Sequence, residues 1–290
     1  MAFKLEINNV SLRYKQFEAL KDISFMIGKE GIYGLVGRNG AGKTTLLSLI
    51  ASFVEPSSGT IKIDGENPFE NARIMSEVNF IFEADYKEEH DSPLDYFEFQ
   101  ERYRPNFDMP YAKELAAKFK LPLDKSIYKL SDGKQSALNV ILGLASRSRI
   151  TIFDEAYRGM DAPTRELFYK ELLNDQERHP RVMILSTHLV SEMEYLFDHV
   201  LIIDDGKLLI NEPYDEVVSR GVTFTGEDAM VDVLTRELNR IHSEQLGRTK
   251  AVMVYGEVSE SLLLEAEQSG VEISTVTLQN LFIHLTGEED

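Results

Sequence analysis

The sequence predicts an α/β fold in which a mostly parallel sheet is wrapped by helices, and three observations lead there. Strand signals at Ile32–Val36, Ile150–Phe153, Val182–Ser186 and Val200–Ile203 alternate with helical stretches, the rhythm of such a sheet. The first of these strands runs straight into a glycine-rich loop and then an apolar-periodic helix. After about Pro213 the character changes to shorter helices and strands, which suggests a small α+β appendage. The expected division is therefore 1–212 for the main body, with a helical part at about 84–149, and 213–290 for the appendage.

Taken in order, Phe3–Val10 and Ile23–Ile27 read as strands flanking Leu12–Leu20, and Ile32–Val36 feeds the loop. Gly59–Asp64 alternates like a half-buried strand, and Val78–Phe82 is another. From Glu83 to about Arg149 the pattern is helical. There Ser92-Pro93-Leu94-Asp95 supplies an N-cap, a proline at the first helical position and a carboxylate in the first turn. A second helix start falls at Asp108. Beyond Pro213 the expectation is a helix at Asp228–Ile241, a strand at Ala251–Tyr255, a helix at Ser259–Glu267, a strand at Val271–Val276 and a last helix at Leu278–Leu285.

The bulk numbers narrow the class. With 290 residues, 43% of them hydrophobic, the chain can bury one large core or two modest ones. A formal charge of -18, with no run of Lys or Arg, argues against a general nucleic-acid surface, so no nucleic-acid partner is expected. The absence of cysteine excludes a disulfide scaffold, thiol catalysis and thiolate metal sites, and fits a reducing compartment. The N-terminus lacks a signal-peptide core, and no apolar stretch approaches the roughly 20 residues of a spanning helix. Any transmembrane work is expected to belong to another chain.

The chemistry begins at Gly37-Arg38-Asn39-Gly40-Ala41-Gly42-Lys43-Thr44-Thr45. Polyphosphate carries closely spaced negative charges. Gly37, Gly40 and Gly42 let bare backbone N–H groups curl around it, and the helix starting near Lys43 adds its positive end. Lys43 would reach the β and γ phosphates, Thr44 would offer its hydroxyl to Mg²⁺, and Thr45 would donate to phosphate. These residues predict a P-loop nucleoside triphosphate site. Ile150-Thr151-Ile152-Phe153 then ends in two adjacent carboxylates, placed where a strand leaves the sheet. Asp154 would hold Mg²⁺ through its water shell, and Glu155 would polarise the attacking water.

With these motifs in order, residues 3 to 212 resemble the ATP-binding subunit of an ABC transporter, a P-loop NTPase. Leu130-Ser131-Asp132-Gly133-Lys134 stands where that family carries its signature motif, although Ser131 would also serve as a simple helix cap. The resemblance implies that two cassettes pack head to tail, with Ser131 and Gly133 of one touching the γ-phosphate held by the other. It makes His188 the switch histidine, places Gly159-Met160-Asp161 against the opposite cassette, and sets Tyr14 against adenine; Tyr14 is equally readable as a core-edge tyrosine. Glu83 takes the place of a glutamine that senses Mg²⁺. Asp132, Lys134 and Ala156 also depart from the family pattern. The acidic, aromatic stretch from Tyr86 to Tyr103 lies where the family receives helices of the membrane subunits. The tail Thr277–Gly287 resembles the closing helix of prokaryotic exporter cassettes.

The resemblance thus implies a Mg²⁺-dependent ATPase, peripheral at the inner face of the cell membrane. Its partners would be separate transmembrane permease subunits and a second ATPase subunit, in a homodimer or a heterodimer, and the transport would be export. Two alternatives are a soluble ABC ATPase of DNA repair or translation and a regulatory cassette that binds ATP but hardly hydrolyses it.

Overall fold

The computed structural model describes residues 4–287; Phe3, which opens the first expected strand, and residues 288–290 lie outside the described residues. β1 (Leu5–Tyr14) and β2 (Phe17–Ile27) form an antiparallel hairpin that sets Tyr14 opposite Phe17. β3 (Gly31–Val36) leads through the glycine-rich loop into α1 (Lys43–Ile50), and β4 (Ser58–Ile63) pairs antiparallel with β1. A short α2 (Ala72–Met75) precedes β5 (Val78–Ile81), and α3 (Pro93–Tyr103), α4 (Met109–Lys118) and α5 (Asp132–Ala145) follow as the helical region. Next come β6 (Ile150–Asp154), α6 (Ala162–Arg178), β7 (Val182–Thr187), a short α7 (Val190–Met193), β8 (His199–Asp204) and β9 (Lys207–Pro213). The remainder is α8 (Tyr214–Ser219), β10 (Gly221–Glu227), α9 (Asp228–Leu234), β11 (Arg240–Leu246), β12 (Thr249–Tyr255), α10 (Glu260–Gln268), β13 (Glu272–Thr275) and α11 (Leu278–Leu285).

The central sheet has the order β5-β6-β7-β3-β8-β9, and only β9 runs antiparallel to its neighbour. Its middle strands are apolar on both faces because both faces are covered. Ile32 and Val36 of β3, Met183 and Leu185 of β7, and Val200 and Ile202 of β8 face the helical side of the core. The alternate residues Tyr33, Leu35, Val182, Ile184, Leu201 and Ile203 face α1 and the small sheet β2-β1-β4. The period of two along each strand thus sorts one apolar run into two cores. A third, smaller core around Phe224, Val231, Val252 and Val271 sits under the antiparallel sheet β11-β12-β10-β13. Leu278, Leu281 and Phe282 of α11 join the main helical core instead, so the last helix docks back onto the sheet-bearing body.

Local signals explain the helix starts. Ser92 and Asp95 form a reciprocal capping box, with Ser92 N–H donating to Asp95 Oδ2 at 2.7 Å, and Pro93 opens α3. Asp108 caps α4 by accepting from Tyr111 N–H at 3.0 Å. Two expectations require correction. The segment Leu12–Leu20 is not a break between strands, since β1 continues to Tyr14 and β2 starts at Phe17. Register shifts after Ile7, Val10 and Leu12, with Asn9 at φ 50°, interrupt the alternation that would have revealed the strand. The helix expected over Asp228–Ile241 stops at Leu234, and Arg240–Leu246 is a strand. Arg240 ends the helix by donating to the Thr235 carbonyl at 3.0 Å and the Asp232 carbonyl at 2.8 Å. β11 is an edge strand with mostly exposed side chains, so its pairing with β12, not an apolar pattern, specifies it. β9, α8 and β10 were not expected either.

Candidate functional site

β3 delivers the chain into the loop at Gly37, and α1 begins at Lys43. Gly42 adopts φ 107°, and a Cβ there would lie 2.9 Å from the Leu20 side chain, so the turn into the helix requires glycine. Lys43 Nζ donates to the Gly37 carbonyl at 2.7 Å and the Arg38 carbonyl at 3.2 Å, folding its ammonium over the loop. Burial pushes Lys43 below the ordinary lysine range, and the carboxylates of Glu155 and Asp154 pull it back up. An arriving polyphosphate would add to that second effect.

The parallel register places the ends of β3, β6 and β7 side by side, which is why residues 110 positions apart meet: Thr44 Oγ1 donates to Asp154 Oδ2 at 2.6 Å. Glu155 follows at φ 48°, outside the strand geometry, and this turn brings its carboxylate over the loop. There Glu155 Oε1 lies 3.0 Å from His188 Nδ1 and 3.9 Å from Lys43 Nζ, while Oε2 lies 2.8 Å from Arg158 Nε. Lys43, Thr44, Asp154, Glu155 and Arg158 line a cavity of about 530 Å³ together with Asn39, Gly40, Thr45 and Glu83; His188 meets Glu155 but is not among the lining residues. Glu83 is ion-paired to Arg158 at 3.1 Å.

Among the described residues no three His, Cys, Asp or Glu side chains converge on a metal position. Mg²⁺ in general takes few protein ligands beside substrate phosphates and keeps several waters. The Thr44 hydroxyl and the adjacent Asp154 carboxylate are the groups that would hold it, and Glu83 lines the same cavity.

The structure separates some expected partners. Phe17, not Tyr14, is among the described residues lining the cavity, although both rings are exposed. The hairpin pairs the two residues, and neighbours across a strand pair with different outlooks are not distinguishable by residue type. Phe17→Ala is expected to weaken ATP binding by about 1 kcal/mol, roughly fivefold in Kd, while Tyr14→Ala leaves it unchanged. Titration with ATP checks this, and the reverse ranking would return the stacking role to Tyr14.

Ser131 and Gly133 do not line this cavity. Ser131 sits at the N-cap position of α5 but makes no capping hydrogen bond, leaving its exposed hydroxyl available to another molecule. Gly133 packs so closely on the loop after Glu155 that a Cβ would lie 2.9 Å from the Gly159 carbonyl. Asp161 caps α6, accepting from Thr164 N–H at 3.0 Å. Arg38 reaches the other way and donates to Thr286 Oγ1 at 3.2 Å, just past α11. Sequence reasoning missed Phe17 and Arg158; Arg158 lies three residues beyond Glu155, and its only signal was a cation between the two motifs.

Comparison with known proteins agrees with this geometry. The family model described as ABC transporter matches residues 20–158. The chain carries an ABC transporter ATP-binding domain. The ABC transporter ATP-binding protein YtrB of Bacillus subtilis is 26% identical over 285 residues, 96% of this chain and 97% of that protein. The bacitracin transport ATP-binding protein BcrA of Bacillus licheniformis is 25% identical over 313 aligned residues, 99% of this chain and 98% of that protein. Proteins named for sulfate/thiosulfate import and spermidine/putrescine import are similar as well. The solved structure of an ATP-binding subunit of an ABC transporter superposes with a TM-score of 0.65 at 19% identity, covering 91% of this chain and 99% of that one. The cassette is an ATPase, the ATP-binding subunit of an ABC transporter, and proteins of this kind dimerise and work with transmembrane permease subunits. Among the described residues no helix is long and apolar enough to cross a membrane.

Proposed function

We propose that this cassette is a Mg²⁺-dependent ATPase at the inner face of the cell membrane that drives export through separate permease subunits. The observation that carries the catalytic part is the meeting of Lys43, Thr44, Asp154, Glu155 and His188 in one place, from two parallel strand ends and one helix start. Lys43 and the loop N–H groups would stabilise charge on the transferring phosphoryl group. Mg²⁺, when bound by Thr44 and Asp154, would supply further charge neutralisation. Glu155 would orient the attacking water, and His188 would hydrogen-bond the γ-phosphate.

Two cassettes would pair head to tail, so that the exposed Ser131 and the adjoining Gly133 of one complete the site of the other. ATP would close the pair, and hydrolysis with phosphate release would reopen it. The division into a body at 1–212 and an appendage at 213–290 belongs to the same proposal. Its support is the separate small core beneath β10 and β12. Export is favoured by the tail Thr277–Gly287, which resembles the closing helix of prokaryotic exporter cassettes, and the protein named for bacitracin transport aligns across nearly the whole chain, appendage included.

Affinity purification of the tagged chain from gently solubilised native membranes tests the assignment. Recovery of a multi-span membrane protein is the expected result, and the presence or absence of a second cassette sequence gives the pairing. Recovery of only ribosomes, nucleic acid or soluble proteins would overturn the transport role.

A further inference from the structure

Glu155 has two carboxylate oxygens, and the structure divides the surrounding cations between them. Oε1 faces His188 Nδ1 at 3.0 Å and Lys43 Nζ at 3.9 Å, whereas Oε2 faces Arg158 Nε at 2.8 Å. On the proposed reading of the site, Lys43 and His188 are the two groups that meet the γ-phosphate. An entering γ-phosphate therefore draws both away from Oε1 and leaves that oxygen free for water.

Arg158 is held differently. Its Nη1 donates to Glu83 Oε2 at 3.1 Å, so one guanidinium bridges two carboxylates. Its backbone is held as well: the N–H donates to the Glu155 carbonyl at 3.0 Å, and the carbonyl accepts from the Ser136 hydroxyl of α5. The guanidinium presents a separate nitrogen to each carboxylate: Nη1 hydrogen-bonds Glu83, while Nε meets the buried Oε2 of Glu155 as an ion pair without hydrogen-bond geometry, so charge rather than a directed bond holds that oxygen.

We propose that Arg158 is a positioning residue for hydrolysis: anchored on Glu83, it holds Oε2 of Glu155 so that Oε1, once released by Lys43 and His188, points at the attacking water. The assignment rests on the reading of Glu155 as the carboxylate that orients water. It also gives the glutamate at 83 a purpose, because a neutral glutamine would hold the guanidinium less firmly. The unusual acid at 83 and the arginine at 158 are then one device. Through Ser136, that device is tied to the start of the helix bearing Ser131 and Gly133.

Single substitutions and a double-mutant cycle test this, with ATP turnover and ATP affinity measured separately. Arg158→Ala is expected to lower kcat roughly thirtyfold, as a misdirected catalytic group does, with the ATP Kd within about twofold of the unsubstituted chain. Arg158→Lys recovers only part of the loss, since one shorter ammonium must then reach two carboxylates that Nε and Nη1 contact separately. Glu83→Ala lowers kcat less, by about fivefold, and adds nothing once Arg158 is alanine, because its effect passes through the guanidinium.

The proposal is overturned if Arg158→Ala turns over like the parent beside an inactive Glu155→Gln. It is equally overturned if ATP affinity falls in step with kcat, or if the Glu83 and Arg158 losses multiply. Should Arg158→Ala fail to fold, Arg158→Gln gives the same reading with a side chain of similar reach. Full turnover in Glu155→Gln would instead remove the underlying assignment of Glu155.

Discussion

Glu155→Gln is expected to lower ATP turnover by a factor of about a hundred or more while ATP binding survives. The substitution keeps the shape of the side chain and removes its charge. Glu155 lies against three cationic or ionisable partners, Lys43, Arg158 and His188, and is only 12% exposed at its side chain, so little water screens these contacts. An amide in that place accepts a hydrogen bond from water but gives no electrostatic pull on its proton. The phosphate-binding machinery, Lys43 with the backbone of Gly37–Thr45, does not depend on that charge. ATP should therefore enter, close the paired cassettes and stay. Phosphate release reads the first effect, and size-exclusion chromatography with ATP reads the second as an accumulating dimer. Turnover equal to that of the unsubstituted chain would remove Glu155 from its role.

The largest stability effect is expected far from the nucleotide, at Asp175→Ala. Asp175 on α6 is 2% exposed, yet it is ion-paired to Arg147 and, at 2.7 Å, to Arg181. Arg181 is itself buried, and burial alone pushes its guanidinium below the ordinary range, while Asp175 pulls it back up. Arg147 in turn stacks 4.4 Å over the Tyr111 ring and pairs with Asp108, the cap of α4, at 3.2 Å. One carboxylate thus ties the helical region to the entry of β7. Removing it leaves a buried cation without its counter-charge, which costs about 3–5 kcal/mol. The melting temperature should fall by roughly 10 °C for a chain of this size. A melting point within about 2 °C of the unsubstituted chain would show that Arg181 finds other compensation. The double variant Asp175→Leu with Arg181→Met should melt closer to the parent than Asp175→Ala, because it removes the stranded charge along with its partner.

Much of the site was legible because its parts are short contiguous segments with their own chemistry. The run Gly37–Thr45 needs no distant partner to declare a phosphate loop, and Asp154-Glu155 at the end of an apolar strand declares a second half. The assembly of those halves follows from parallel pairing, since β6 and β7 beside β3 bring Thr44 to Asp154 at 2.6 Å. Legibility failed where pairing replaced pattern. β1 carries bulges that break its alternation, and β11 is an exposed edge strand whose pairing with β12 outweighs a helix-like sequence.

The sequence by itself determined the α/β class, the glycine-rich loop, the two adjacent carboxylates and the caps at Ser92 and Asp108. Each is encoded within a few residues, where local hydrogen bonding and backbone preference act. Only the tertiary structure decided that Phe17 and not Tyr14 lines the cavity, and that Arg158 bridges Glu83 and Glu155. It also decided that α11 returns to the main core, where Thr286 meets Arg38. These are contacts between segments remote in sequence, or choices of side-chain direction at neighbouring positions. Long-range packing sets them, and residue type alone carries no record of which neighbour will be met.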